Sequence, residues 1–189
     1  MTSVVERIAR LRPASRPPKV ERRREPRRYR IAAIDVGTNS IHMIIAEEER
    51  HGYRVIDKER QMVQLGRNSL AGKPLTEDAI ERGVSTLRTM AEIARRREVD
   101  DIVAVATSAV REAPNRRKFI NEVKRTAGID LRVISGEEEA DYIYRAVRSA
   151  VDFHGGTALS VDIGGGSVEM IVGTSSEVFL TGSEPAGSP

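Results

Sequence analysis

The chain has 189 residues, 39% of them hydrophobic but only 4% aromatic and none Trp, so its core must be built from Val, Ile, Leu and Ala, which suits an α/β fold. The absence of Cys excludes disulfides and thiolate metal sites. No apolar run approaches the roughly 20 residues that cross a bilayer and no apolar leader opens the chain, so a cytoplasmic protein without a membrane partner is expected. The net charge of +3 is uneven: residues 1–30 carry eleven Lys and Arg against Glu6, Glu21 and Glu25, a balance of +8 that leaves −5 for the remainder.

In chain order, residues 1–29 mix those arginines with Pro13, Pro17, Pro18 and Pro26. Like charges repel and prolines remove helix donors, so a disordered basic arm is expected, with weak contact to an anion such as RNA or polyphosphate as its functional use. Ordered structure is expected from residue 30. Ile31–Ile34 reads as a strand that runs into Asp35-Val36-Gly37-Thr38-Asn39-Ser40. Ile41–Ala46 is a second strand and Tyr53–Leu65 a third, with a turn at His51-Gly52. Short connections between three strands predict an antiparallel meander.

The period then changes. Ile80, Val84, Leu87, Met90, Ala91 and Ala94 recur at helical spacing after Thr76, an N-cap followed by Glu77 and Asp78. Ile102–Ala106 is a continuous apolar strand. Asn115 is expected to cap a helix that ends at Gly128. Leu131–Ile134 is another strand, and Ser135 with Glu138 forms a capping box for a helix to about Val151. Strands resume at Ala158, at Val168 and at Glu177, and residues 182–189 are expected to be a disordered tail. The order βββαβαβα is the ribonuclease-H-like arrangement. The domain reading is a first such domain over 30–153 and the truncated start of a second over 157–181.

Two segments share one form. Asp35-Val36-Gly37-Thr38-Asn39-Ser40 and Asp162-Ile163-Gly164-Gly165-Gly166-Ser167 both read Asp-aliphatic-Gly-x-x-Ser between two strands. Each is a hairpin loop in which glycine supplies positive φ and allows close approach of backbone N–H groups to a ligand. Such loops can cradle phosphate, and the Asp at the strand end can hold Mg²⁺. Neither is a P-loop, because no Gly-Lys-Ser/Thr follows, nor a dinucleotide fingerprint, because a strand and not a helix comes next.

These loops, with Ala106-Thr107-Ser108-Ala109-Val110-Arg111-Glu112-Ala113, Ile134-Ser135-Gly136-Glu137-Glu138-Glu139-Ala140 and the Val168-Glu169 that follows the second loop, resemble the Ppx/GppA phosphatases. These are exopolyphosphatases and guanosine pentaphosphate phosphohydrolases of the actin-like ATPase superfamily. The resemblance covers about residues 30–175. It implies hydrolysis of a terminal phosphoanhydride bond in polyphosphate or guanosine pentaphosphate, with Mg²⁺ or another divalent cation. It implies Glu139 as the water-activating base. Arg111, Gly37, Thr38, Asn39, Ser40, Gly164, Gly165, Gly166 and Ser167 would contact phosphate, and Asp35, Asp162 and Glu169 would attend the metal. Glu138 reads as a cap and Glu137 as a complement to the helix dipole. Arg116 and Arg117 read as surface, Met43 and Met90 as core. His42, His51 and His154 form no metal constellation and carry no assigned chemistry.

The family continues past the last strands of this chain. A non-catalytic polyphosphate- or nucleotide-binding remnant is therefore the alternative to a working enzyme, and an ATPase or kinase of the same superfamily is a third. The apolar stub of the second domain is expected to invite self-association as a homodimer.

Overall fold

The Arg30–Val36 strand, β1, places Ala32, Ile34 and Val36 on one face, all buried. It is followed by β2 (Ser40–Glu49) and β3 (Gly52–Met62). All three pair antiparallel, with a bulge at Ile45/Ala46 and Gly52 at φ +102° in the turn. In the computed structural model, which describes residues 27–67, 69 and 72–185, β4 (Asp101–Ala106) joins β1 in parallel and β5 (Leu131–Val133) joins β4 in parallel. The first sheet thus has the mixed order β3-β2-β1-β4-β5. Two antiparallel pairings need only short turns, whereas each parallel pairing requires a crossover.

Helix α1 (Glu77–Arg96) is the first crossover; Thr76 accepts from the Ala79 N–H at its start. Its apolar stripe, including Ile80, Leu87, Met90 and Ala94, is buried against the sheet. Gly83 lies inside this helix, where glycine costs about 1 kcal/mol relative to alanine. A methyl group there would sit 2.8 Å from the Phe119 ring and 3.0 Å from Leu65. Its absence lets α3 (Arg116–Ala127) approach α1 closely, and Phe119 is fully buried as a result. Met43 and Met90 are both core, as expected.

The short helix α2 (Ser108–Glu112) directly after β4 was not foreseen; it is only five residues long. Asn115 does not cap α3 with its side chain. Its carboxamide instead accepts from the Leu75 N–H and donates to the Leu75 carbonyl, both at 2.9 Å, pinning the entry to α1. Gly128 ends α3 in the left-handed conformation, φ 73°. The third strand stops at Met62, and the buried Val63 and Leu65 belong to the loop that follows.

Helix α4 (Gly136–Ala150) starts with the expected capping box: Ser135 accepts from the Glu138 N–H and the Glu138 carboxylate accepts from the Ser135 N–H. Expected within the first domain, it packs on β7 (Ser167–Gly173) and β8 (Val178–Pro185) of a second, three-stranded antiparallel sheet ordered β6-β7-β8, with β6 at Ala158–Ile163. The reason is local. Ala140 and Tyr144 face Ile171 in a small separate core, and the Tyr144 hydroxyl donates to the Thr174 carbonyl. In its packing, α4 goes with the second sheet.

Residues 182–185, expected in the tail, complete β8 and pair with β7 through Ser167↔Pro185; 186–189 lie outside the described residues. Of the expected arm, 1–26 also lie outside them. Arg27 pairs with Asp100, Arg28 pairs with Glu49, and the Tyr29 carbonyl accepts from Glu48, so the arm joins the body before residue 30. The faces of the two sheets away from the helices are apolar and open, with Ile44, Tyr53 and Val103 exposed on the first and Leu159, Ile163 and Leu180 on the second. Among the described residues no helix is long and apolar enough to cross a membrane.

Candidate active site

The sequence repeat is a structural repeat. In the first loop the Gly37 N–H donates to the Ser40 carbonyl at 3.1 Å; in the second the Gly164 N–H donates to the Ser167 carbonyl at 2.9 Å. A methyl group on either glycine would lie 3.1 Å from that same carbonyl. None of Gly37, Gly164, Gly165 and Gly166 takes a left-handed φ, so the expected reason for glycine is corrected. Close approach, and not backbone conformation, excludes a side chain.

The two loops meet. A methyl group at Gly166 would lie 2.5 Å from Ser108 Oγ and 2.6 Å from Thr38 Oγ1, and one at Gly165 would overlap the Asn39 carboxamide. Thr38, Ser108 and Ser167 are each no more than 5% exposed. The first loop is held from behind by the segment after β3. The Val63 and Gln64 N–H groups both donate to the Asn39 carbonyl, and the Gly66 N–H to the Thr38 carbonyl. Arg82 of α1 in turn donates to the Val63 carbonyl at 2.9 Å. This support was not legible beforehand, because it runs through main-chain atoms that carry no residue signature.

The repeat also extends two residues beyond the Ser. Asp35 opposes His42 across β1 and β2, and Asp162 opposes Glu169 across β6 and β7. His42 and Glu169 therefore hold equivalent positions, a correspondence readable by aligning the two loops but missed there. The His42 Nε2 is 2.7 Å from Ser40 Oγ, so that hydroxyl, expected to contact phosphate, is engaged by the imidazole.

Glu139 lies in the first turn of α4 and Arg111 near the end of α2. The Arg111 guanidinium donates to Glu139 Oε2 at 2.8 Å and to the Ile134 carbonyl at 3.3 Å. Both side chains are mostly buried. Loss of hydration pushes the Glu139 carboxyl above its ordinary value; the bond from Arg111 opposes this, while the charges of Glu169 and Asp35 add to it. Asp35 remains exposed by surface area, yet the protein around it displaces enough water to raise its pKa too. His42 opposes that rise and Asp162 adds to it. Glu139 is thus coupled to a carboxylate from each loop. Glu138, in contrast, is held below its ordinary value by the Ser135 N–H and by Arg132, which fits a capping role. Arg116 is exposed and donates to the Arg111 carbonyl; Arg117 is exposed.

Among the described residues no three His, Cys, Asp or Glu side chains gather closely enough to cage a metal. Magnesium rarely uses such a cage; it keeps waters and binds through one or two carboxylates together with phosphate oxygens. The donor set here fits that pattern. Asp35 and Asp162 offer hard oxygens, and Glu169, 1% exposed, leaves its Oε2 buried with no partner.

Comparison with known proteins accords with this geometry. The Ppx/GppA phosphatase family model matches residues 44–188. The chain is 37% identical over 152 residues to a guanosine-5'-triphosphate,3'-diphosphate pyrophosphatase of Aeromonas hydrophila, covering 80% of this chain and 30% of that protein. It is 29% identical over 160 residues to exopolyphosphatase 1 of Mycobacterium bovis, covering 84% and 46%. Among solved structures, an exopolyphosphatase from Cytophaga hutchinsonii matches with TM-score 0.81 at 35% identity, over 84% of this chain and 51% of that one. The Aquifex aeolicus Ppx/GppA family member matches with TM-score 0.71 at 33% identity, over 84% and 52%. The chain therefore spans about half the length, or less, of these relatives. With the paired loops, the Arg111–Glu139 contact and a family match across most of its length, the chain belongs to the Ppx/GppA phosphatase family.

Proposed function

We propose that this chain contributes the phosphate-handling half of a cytoplasmic hydrolase that cleaves the terminal phosphoanhydride bond of polyphosphate or guanosine pentaphosphate. The architecture is read as a ribonuclease-H-like domain followed by the first strands of a second such domain. The observation that carries the proposal is the coupling of one carboxylate, Glu139, to Arg111 at 2.8 Å and to the charges of Asp35 and Glu169, one from each hairpin.

Phosphoryl transfer needs positioning and charge neutralisation more than covalent chemistry. Backbone N–H groups within residues 38–40 and 165–167, with the Thr38, Asn39 and Ser167 side chains, would hold phosphate oxygens, and Arg111 would supply a bidentate donor. Asp35, Asp162 and Glu169 would attend a divalent cation, directly or through water and alongside phosphate oxygens; when bound it would neutralise phosphate charge. Glu139 accepts a proton from water as the water oxygen bonds to the terminal phosphorus. The bridging P–O bond breaks, the electron pair stays with the shortened chain, and orthophosphate leaves. A raised Glu139 pKa suits a base that must take a proton and later release it.

The test is orthophosphate release with Mg²⁺ from long-chain polyphosphate and from guanosine pentaphosphate. Release from at least one is expected, with Glu139→Gln slower by roughly a hundredfold or more. Binding without release would refute the catalytic reading in favour of a binding protein. ATP turnover alone would favour the kinase or ATPase reading.

A further inference from the structure

Ser183 lies on β8, directly opposite Glu169 of β7. Its hydroxyl donates to Glu169 Oε1 at 3.0 Å, while Glu169 Oε2 is buried with no partner. Ser183 also packs against Gly136, the first residue of α4 and three positions before Glu139. A methyl group at Gly136 would lie 2.6 Å from Ser183 Cβ and closer still to its hydroxyl. Ser183 and Arg111 line one cleft of about 410 Å³ together with Ser135, Gly136 and Thr181. One side chain thus touches the carboxylate of the second loop's hairpin and the helix that carries Glu139.

We propose that Ser183 is a positioning residue for Glu169: by occupying Oε1 it fixes the carboxylate rotamer and leaves Oε2 as the acceptor offered to a divalent cation. A buried carboxylate with one oxygen tied and the other free is a pre-set ligand. With neither tied, the carboxylate would be free to turn away from the position in which Oε2 meets a cation. The glycine at 136 follows from the same arrangement, since any side chain there would displace the serine. This inference rests on the proposed role of Glu169 at the cation.

The experiment is Mn²⁺ binding to the full chain, followed by water-proton relaxation at neutral pH, for wild type, Ser183→Ala, Ser183→Thr, Glu169→Gln and the Ser183→Ala/Glu169→Gln double variant, with thermal melts alongside. Ser183→Ala should bind Mn²⁺ about tenfold more weakly at neutral pH, as expected for loss of a hydrogen bond to a charged group. Ser183→Thr, which keeps the hydroxyl, should restore most of it. The double variant should bind no more weakly than Glu169→Gln alone, because Ser183 acts through Glu169. Wild-type affinity in Ser183→Ala, whatever its melting temperature, would overturn the proposal while leaving the cation site intact. Additive losses in the double variant would also overturn it. Failure of the wild type to bind Mn²⁺ would overturn both this inference and the assignment of the cation.

Discussion

Gly166→Ala tests whether the two loops are interlocked as the geometry requires. The added methyl group would stand 2.5 Å from Ser108 Oγ, 2.6 Å from Thr38 Oγ1 and 3.1 Å from Ser108 Cβ. Real Cβ atoms keep well beyond 3 Å from such neighbours, and both hydroxyl residues are almost fully buried, so neither can swing into solvent without moving backbone. Overpacking of this kind costs about 1–3 kcal/mol, against a gain of about 0.4–1 kcal/mol from restricting the unfolded chain. The net expectation is a loss of roughly 0.5–2 kcal/mol. If the strain is relieved by separating the hairpins, Glu139 also loses its neighbours from one side. Gly182→Ala is the matched control: nothing lies within 4 Å of its added methyl group and its φ is not left-handed. Urea denaturation of both variants, with phosphate release measured on each, separates the cases. Gly166→Ala should be destabilised and slowed by at least roughly tenfold, because misplacement of a catalytic group by about 1 Å is costly, while Gly182→Ala should match wild type in turnover and be no less stable. A Gly166→Ala protein with wild-type stability and turnover would show that the loops do not touch in solution, and the shared cleft would fall with it.

Asp35→Asn should make the cation-free protein more stable at neutral pH. Burial raises the Asp35 pKa above its ordinary 3.8, so between and above the unfolded and folded values the native state carries a penalty for the ionised group; stability from this group falls as pH rises through that window. The asparagine lacks the penalty, so its melting temperature should exceed that of wild type at pH 7 and the advantage should shrink as pH falls toward 4; an equal or lower melting temperature at pH 7 would contradict the assignment. Arg111→Met removes the cation that opposes the upward shift of Glu139. The acid limb of kcat/KM against pH should move to higher pH, with a loss of roughly tenfold or more at neutral pH, and an unmoved limb would mean that Glu139 does not set it. Tyr144→Phe deletes the hydroxyl bonded to the Thr174 carbonyl and should cost about 1 kcal/mol in urea denaturation, with the effect confined to the α4 and β6–β8 unit; no loss would show that this bond adds nothing to the smaller core.

The first sheet and its helices were legible because their periods are unambiguous. A 3.6-residue stripe over 80–94 and the Ser135/Glu138 cap each point to one structure only. What escaped was carried by contacts across the chain. Asn115 satisfies the usual rule for a helix cap, yet its carboxamide finds both a donor and an acceptor at Leu75, a pairing that local rules cannot weigh. Helix α4 has apolar residues suited to either sheet; what assigns it to the second is Tyr144, whose hydroxyl finds the Thr174 carbonyl thirty residues on. At the site, the paired loops and the Glu139 segment were readable as motifs, and the place of His42 could have been found by aligning the loops, whereas the contacts of Ser183 and Ser108 could not. Ser183 sits in a segment whose Gly, Ser and Pro content reads as tail, and only pairing of β8 with β7 brings it beside Glu169.

The electrostatics explain why such a site is costly to keep. The charge of Asp162 acts on Asp35, those of Asp35 and Glu169 act on Glu139, and Arg111 pairs with Glu139; burial lifts Asp35 and Glu139 above their ordinary values. A fold selected for stability alone would replace Asp35 with an amide. Nor can a cluster of carboxylates attract a polyanion unaided: at close range in a site of reduced dielectric, each added negative charge is repelled by several kcal/mol, on the order of 4 kcal/mol per pair at 4 Å. Under the proposed function, the arrangement would become favourable once a divalent cation sat between carboxylate and phosphate, converting two repulsions into two attractions. That reversal would require acceptor oxygens that are free and fixed before the ligand arrives, and Glu169 has one oxygen tied to Ser183 and the other without a partner.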